Sequence, residues 1–141
     1  MRIPRIGAAL AVGLVTAGVV SLAPAPAQAS FNDCPDESGL LCFWPAANYQ
    51  GRPGTVEDAN ANWANFTDSA NRCGASVGWN DCISSIRNEG IDCEAVIWEH
   101  PSMGGSNFVI NRETFVDNLA DRGKPSGGNW NDVVSSNSWF C

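Results

Sequence analysis

The sequence predicts an all-β sandwich built from two copies of one unit, and three observations carry that expectation. A phrase recurs: WNDCISS at Trp79 to Ser85 returns as WNDVVSS at Trp130 to Ser136, 51 residues later. A second pair of segments, FWPAANYQGR at Phe43 to Arg52 and IWEHPSMGGS at Ile97 to Ser106, sets Trp44 against Trp98 and Gly51 against Gly105, both 54 apart. Short apolar or alternating stretches, separated by Gly, Asn, Asp, Ser and Pro, then give the β pattern.

The chain's first 29 residues stand apart from this plan. Arg2 and Arg5 open an apolar run from Ile6 to about Leu22, and Ala27-Gln28-Ala29 offers small residues before a cut. That is the layout of a secretory signal peptide, and Pro24 and Pro26 weigh against a retained membrane anchor. The exported chain would be residues 30–141, one domain's worth of sequence. No second apolar segment follows, so the expected product is a secreted protein, free of the membrane after cleavage and acting as a monomer.

Within residues 30–141, strands are expected at Leu40–Trp44, Ile83–Arg87, Ala95–Trp98, Phe108–Ile110 and Val133–Phe140. Glu113 to Ala120 reads as the one short helix. Asn65-Phe66 is matched with Asn118-Leu119, 53 apart. The drift in spacing puts about three extra residues in the first half, around Arg72 to Gly78. Offsets that drift only in loops indicate duplicated structure. The first motif then spans about 40–90 and the second about 93–141. Trp44, Trp98, Trp130, Trp139, Phe108 and Ile83 are the expected core, since a Trp-rich pattern more often packs than binds a cofactor.

Cys34, Cys42, Cys73, Cys82, Cys93 and Cys141 are an even set in an exported chain, which reads as three disulfides. Sequence does not choose among the fifteen possible pairings. The expectation adopted is Cys34 with Cys42, Cys73 with Cys82, and Cys93 with Cys141. A zinc site is not expected, with one histidine, His100, and no Cys-x-x-Cys pair. Fifteen acidic and six basic residues leave residues 30–141 with a formal charge of −9. Such a surface repels nucleic acid and anionic lipid, so neither is an expected partner.

No active site assembles. Gly74-Ala75-Ser76-Val77-Gly78 fits the Gly-x-Ser-x-Gly form of a nucleophile elbow, but strand signals, not a helix, follow it. His100, the sole imidazole, reads as a solvated residue at a hairpin tip. The expectation is a binding protein rather than an enzyme.

The repeated phrase is Asn-Asp-x-x-Ser-Ser: Asn80, Asp81, Ser84 and Ser85, then Asn131, Asp132, Ser135 and Ser136. Calcium takes six to eight oxygen ligands from carboxylates, amides, backbone carbonyls, hydroxyls and water. Each copy supplies such oxygens on a turn leading into a strand. Asn-Asp also starts turns and Ser-Ser starts strands without any ion. Two copies at equivalent places favour calcium.

Trp44-x4-Tyr49-x-Gly51 resembles the aromatic and glycine hairpin of βγ-crystallin Greek-key motifs, and Trp98-x4-Met103-x-Gly105 is similar, with Met103 in place of the aromatic. The resemblance covers nearly the whole exported chain and implies a disulfide-braced βγ-crystallin-like sandwich of two Greek-key motifs. The recurring phrase is similar to the calcium signature of microbial βγ-crystallins. That likeness implies paired signatures, each ion drawing ligands from both. Asp81, Asp132, Ser84 and Ser135 would then give side-chain ligands. Asn80 and Asn131 would give side-chain or backbone oxygen, and the hairpins after Trp44 and Trp98 a backbone carbonyl.

The opening CPDESGLLCFWPAANYQGR, with Cys34-Pro35, Gly39, Leu41-Cys42 and Asn48-Tyr49-x-Gly51, resembles the streptomycete metalloproteinase-inhibitor family. That resemblance implies a peptidase inhibitor with a secreted metalloprotease as partner, blocked by an exposed loop. A loop held rigid by a disulfide loses little entropy on binding, which points to Gly74, Ala75, Ser76, Val77, Gly78 and Trp79 between Cys73 and Cys82. Two other functions fit the same features: a calcium-stabilised extracellular module without inhibitory action, and a secreted protein resembling killer toxins.

Overall fold

Alternation sets the strands. In β1 (Leu41–Trp44), Leu41 and Phe43 join the main core, while Cys42 and Trp44 pack on the opposite face with Cys34, Leu40 and Tyr49. The same period of two runs through β2 (Gly54–Val56), β3 (Ser85–Asn88), β4 (Glu94–His100), β5 (Gly104–Ile110), β6 (Thr114–Val116) and β7 (Ser136–Phe140). This computed structural model describes residues 31–66 and 78–141. The expected signal peptide at 1–29, Cys73 and Gly74 to Val77 lie outside the described residues.

Two antiparallel sheets form, in the orders β2-β1-β3-β6 and β5-β4-β7. The third segment of each motif crosses to the other sheet. β6 follows the second hairpin yet pairs with β3 of the first motif, Ile86 opposite Val116 and Arg87 opposite Phe115. The first motif answers through a single bridge, Asn60 opposite Asn137 on β7. Each sheet is therefore completed by the other half of the chain, and the two inner faces share one core. Leu41, Phe43, Val56, Ile86 and Val116 enter it from one sheet, and Ala95, Ile97 and Ile110 from the other.

The core differs in part from the expected one. Trp44, Trp130 and Ile83 are buried as expected, though Trp44 belongs to the smaller cluster on the outer face of β1. Phe108 and Trp139 only lean on the main core, and Trp98 is half-buried with its indole N–H donating to Ser138 Oγ at 3.0 Å. Trp63, Trp79 and Phe43 fill the middle instead. Phe43 stacks on Trp63 at 4.5 Å between ring centroids and meets Trp79 edge-on at 4.9 Å.

The expected helix at Glu113 to Ala120 is instead the strand β6 followed by one 3-10 turn, Leu119–Asp121. Phe115 is exposed and Val116 buried, the alternation of a strand. Asn118 caps the turn by accepting from the Ala120 N–H at 3.1 Å. Its structural counterpart is Asn62, which caps Trp63–Asn65 by accepting from the Ala64 N–H at 3.0 Å. Asn62-Trp63, not Asn65-Phe66, thus matches Asn118-Leu119, an offset of 56. The first half is two residues shorter before its capped turn and five longer after it than the second half.

Disulfides join Cys34 to Cys42 and Cys93 to Cys141. Cys82 is disulfide-bonded as well, and Cys73 is the one cysteine outside the described residues. The segment before β1 is strapped over the outer face of β3 by Arg87. Its guanidinium donates to the Cys34 and Phe31 carbonyls at 3.0 and 3.3 Å, pairs with Asp36 and Glu89, and lies 3.8 Å from the centre of the Phe31 ring. Buried charge is retained where it is paired and bonded in this way.

Candidate functional site

The two Asn-Asp-x-x-Ser-Ser phrases meet at one end of the sandwich. The Asp81 N–H donates to the Val134 carbonyl at 3.0 Å, and the Asp132 N–H donates to the Ile83 carbonyl at 3.1 Å. Each phrase is thus held by the other across a pseudo-twofold relation. Asp81 and Asp132 both adopt left-handed backbone, φ 53° and 55°, which costs a non-glycine residue energy. Beside each, an asparagine amide donates to the aspartate: Asn80 Nδ2 to Asp81 Oδ2 at 2.6 Å, and Asn131 Nδ2 to Asp132 Oδ2 at 2.5 Å.

The serines bring the hairpins to the same place. Ser135 Oγ lies 3.0 Å from the Glu99 carbonyl oxygen and 3.1 Å from Asp81 Oδ1. Carboxylate, hydroxyl and backbone carbonyl come from three separate segments, one of them in the first motif. In the mirror position Ser84 Oγ lies 3.2 Å from the Pro45 carbonyl oxygen. The second serine of each phrase fixes the hairpin itself. Ser85 Oγ donates to the Ala46 carbonyl at 2.8 Å and accepts from the Tyr49 N–H at 3.1 Å, while Ser136 Oγ does the same with His100, at 2.7 Å, and Met103, at 3.1 Å.

A cavity of about 370 Å³ opens here, lined by Asn80, Asp81, Glu99, His100, Pro101, Asp132, Val133 and Ser135. Four of the six predicted ligand residues line it; Ser84 and Asn131 stand outside it. Asn80 Oδ1 is buried with no hydrogen-bond partner, an acceptor left over at the site. Burial pushes the Asp132 carboxyl above the usual carboxylate range, with the Asp81 charge adding to it and the Asn131 amide opposing. His100 is exposed at the end of β4.

Glu99, next after Trp98, stands where the sequence pointed to a hairpin carbonyl. Its backbone oxygen faces the site, while its carboxylate turns away to Lys124 Nζ at 2.6 Å and Ser126 Oγ at 3.0 Å. The Lys124 hydrogen bond, aided by those of Ser106 and Ser126, holds the Glu99 carboxyl at about 2. The Lys124 pairing is the part sequence reasoning missed, since 25 positions separate the two residues.

Among the described residues no three His, Cys, Asp or Glu side chains form a metal cluster. The oxygens assembled here are instead mixed in origin. Of the predicted inhibitory loop, Gly78 is buried and Trp79 is fully inside the core, so neither can touch a partner. Among the described residues no helix is long and apolar enough to cross a membrane.

The exchanged sheets, the paired hairpins and the clasped phrases define a βγ-crystallin fold. The chain is similar to a structure concerning the evolution of the eye-lens βγ-crystallin domain fold: TM-score 0.56, 20% identity, 72% of this chain and 85% of that one. A βγ-crystallin from Ciona intestinalis gives 0.51 and 16%, over 72% and 100% of the two chains. A double mutant of a βγ-crystallin domain from Clostridium beijerinckii gives 0.50 and 17%, over 72% and 96%. No curated protein matches in sequence. Residues 27–110 match peptidase inhibitor family I36, and the chain belongs to that family.

Proposed function

We propose that this is an exported, non-enzymatic peptidase inhibitor directed at a secreted metalloprotease, with a calcium clamp that stiffens the end of the domain formed by the two signatures. The match to family I36 carries the inhibitor reading. The mixed oxygen donors around Asp81, Ser135 and the Glu99 carbonyl support calcium. The unpartnered Asn80 Oδ1 and the strained Asp81 and Asp132 backbones support it further. Calcium would be held by Asp81, Ser135 and the Glu99 carbonyl at one position, and by Asp132, Ser84 and the Pro45 carbonyl at the other. Asn80 and Asn131 orient the two aspartates through their amide N–H groups and would add side-chain or backbone oxygens, the free Asn80 Oδ1 among them. The ion would neutralise carboxylates that otherwise repel each other, and so stabilise the folded state by mass action.

The test is residual activity of a thermolysin-type metalloprotease titrated with the protein, calcium held constant, beside the Asp81→Ala, Asp132→Ala double variant. Stoichiometric inhibition by the wild type is expected. Absence of inhibition at any excess would overturn the inhibitor reading and leave a calcium-stabilised extracellular module, the alternative the clamp geometry favours. Calcium at a hundredfold excess over Kd should raise Tm by about 10 °C in the wild type and not in the double variant.

A further inference from the structure

At the end of the sandwich opposite the clasped phrases, a second cavity of about 250 Å³ opens where β1 begins and β2 and β3 end. Its lining is Gly39, Glu57, Gly90, Ile91, Asp92, Trp139 and the Cys93–Cys141 disulfide. The lining joins apolar wall to anionic rim. Trp139 is half-buried and leans on the core, and Ile91 is 60% exposed with nothing covering it. Among the described residues neither Glu57 nor Asp92 has an ion-pair partner.

The walls are fixed. Asn88 Nδ2 donates to the Ile110 and Cys93 carbonyls at 2.8 and 3.3 Å, and its Oδ1 accepts from the Gly90 N–H at 2.8 Å. Arg112, which does not line the cavity, ties the Ile91 carbonyl from outside at 2.8 Å. Gly90 lets the wall close this tightly, since a Cβ there would stand 2.7 Å from the Cys93 carbonyl oxygen, 2.9 Å from Asn88 Oδ1 and 3.0 Å from Trp139 Cζ3.

Size and charge select the occupant. Small-molecule sites run from roughly 300 to 1,000 Å³, so this cavity suits a single side chain better than a whole ligand. An aliphatic stem would lie along Ile91 and Trp139, and a cation at its tip would meet two carboxylates. Guanidinium pairs with carboxylates through a planar fork and stacks on aromatic faces, which an ammonium does not match.

We propose that this cavity is a docking site for an arginine side chain of a partner polypeptide. The site is separate from the clamp and does not depend on the inhibitor reading. The rigid walls mean that little ordering is needed on binding, so even a short arginine peptide should register.

The experiment is a titration of the isotope-labelled protein, exported and purified from the culture medium, with the blocked peptide Gly-Arg-Gly. Amide and indole NMR signals are followed. Saturable shifts confined to Gly39, Gly90, Ile91, Asp92, Cys93 and the Trp139 indole are expected. The same peptide with citrulline, which keeps the shape and loses the charge, should bind at least fivefold more weakly. Glu57→Gln and Asp92→Asn should each weaken the arginine peptide by roughly two- to fivefold, as exposed ion pairs do. Equal binding of the citrulline peptide, shifts scattered elsewhere, or no saturation would each overturn the proposal.

Discussion

The two motifs share a backbone plan but fill their common core with different side chains. In the first, Phe43, Trp63 and Trp79 pack ring against ring; the matching positions of the second are Ile97, Leu119 and Trp130. In the first hairpin Tyr49 packs edge-on against Trp44 at 5.1 Å, where the second hairpin has Met103. The hydrogen-bond skeleton is nevertheless the same in both: capped turns at Asn62 and Asn118, clasped aspartates at 81 and 132, serine-held hairpins. Polar contacts in this fold are specified position by position, because each buried group needs its partner. Apolar volume can be met by rings or by branched chains, so long as it is filled.

Making the first motif copy the second should therefore fail in the core. Trp63→Leu, which installs the residue found at 119, leaves a void beside Phe43 and deprives Asn137 Oδ1 of the indole N–H at 2.9 Å. A loss of about 3 kcal/mol is expected from cavity and orphaned acceptor together. Urea unfolding measures it; a loss below about 1 kcal/mol would mean that the first motif's share of the core is no more tightly fitted than the second's.

The hairpin glycines offer a smaller contrast. Gly51 and Gly105 sit at φ 87° and 75°, so alanine is strained at either. A Cβ at 51 would lie 2.6 Å from the Pro45 ring, and one at 105 would lie 2.8 Å from His100 Cδ2. Proline cannot move aside and the exposed imidazole can. Gly51→Ala should cost about 2 kcal/mol or more and Gly105→Ala about 1 kcal/mol, read from paired thermal melts.

The smallest effect concerns Tyr49, the only tyrosine in the chain. Its hydroxyl is buried without a partner, and burial, with the Asp117 charge, pushes its pKa up to about 12. The folded state thus favours the neutral phenol. Whatever stability this gives is complete below pH 10 and lost as pH rises toward 12. Tyr49→Phe should change stability at neutral pH by less than about 0.5 kcal/mol and remove that alkaline loss. Phenolate absorbance of the wild type, midpoint near 12, is the direct check; a midpoint at 10 would show an exposed ring.

The repeats made the fold legible, since only paired hairpins and closing phrases can recur at drifting offsets. The meeting of the two phrases was legible for the same reason: a geometry built from two copies prints itself twice. The tie of the Glu99 carboxylate to Lys124 was not, because nothing in residue type pairs two groups 25 positions apart. Nor was β6 read as a strand. Three residues are too few to show a period, and Thr114–Val116 is a strand because β3 of the other motif offers it an edge. Trp63 and Trp79 were passed over because both stand in turns, outside the alternating stretches from which the core was read.

That borrowed edge has a genetic consequence. Each half of the gene encodes a piece whose sheet is finished by the other, and neither described disulfide crosses between them. Split between residues 90 and 93, the two products would be obligate mates, assembling like a heterodimer rather than persisting alone. A single unit standing alone would have to find its mate in another copy of itself.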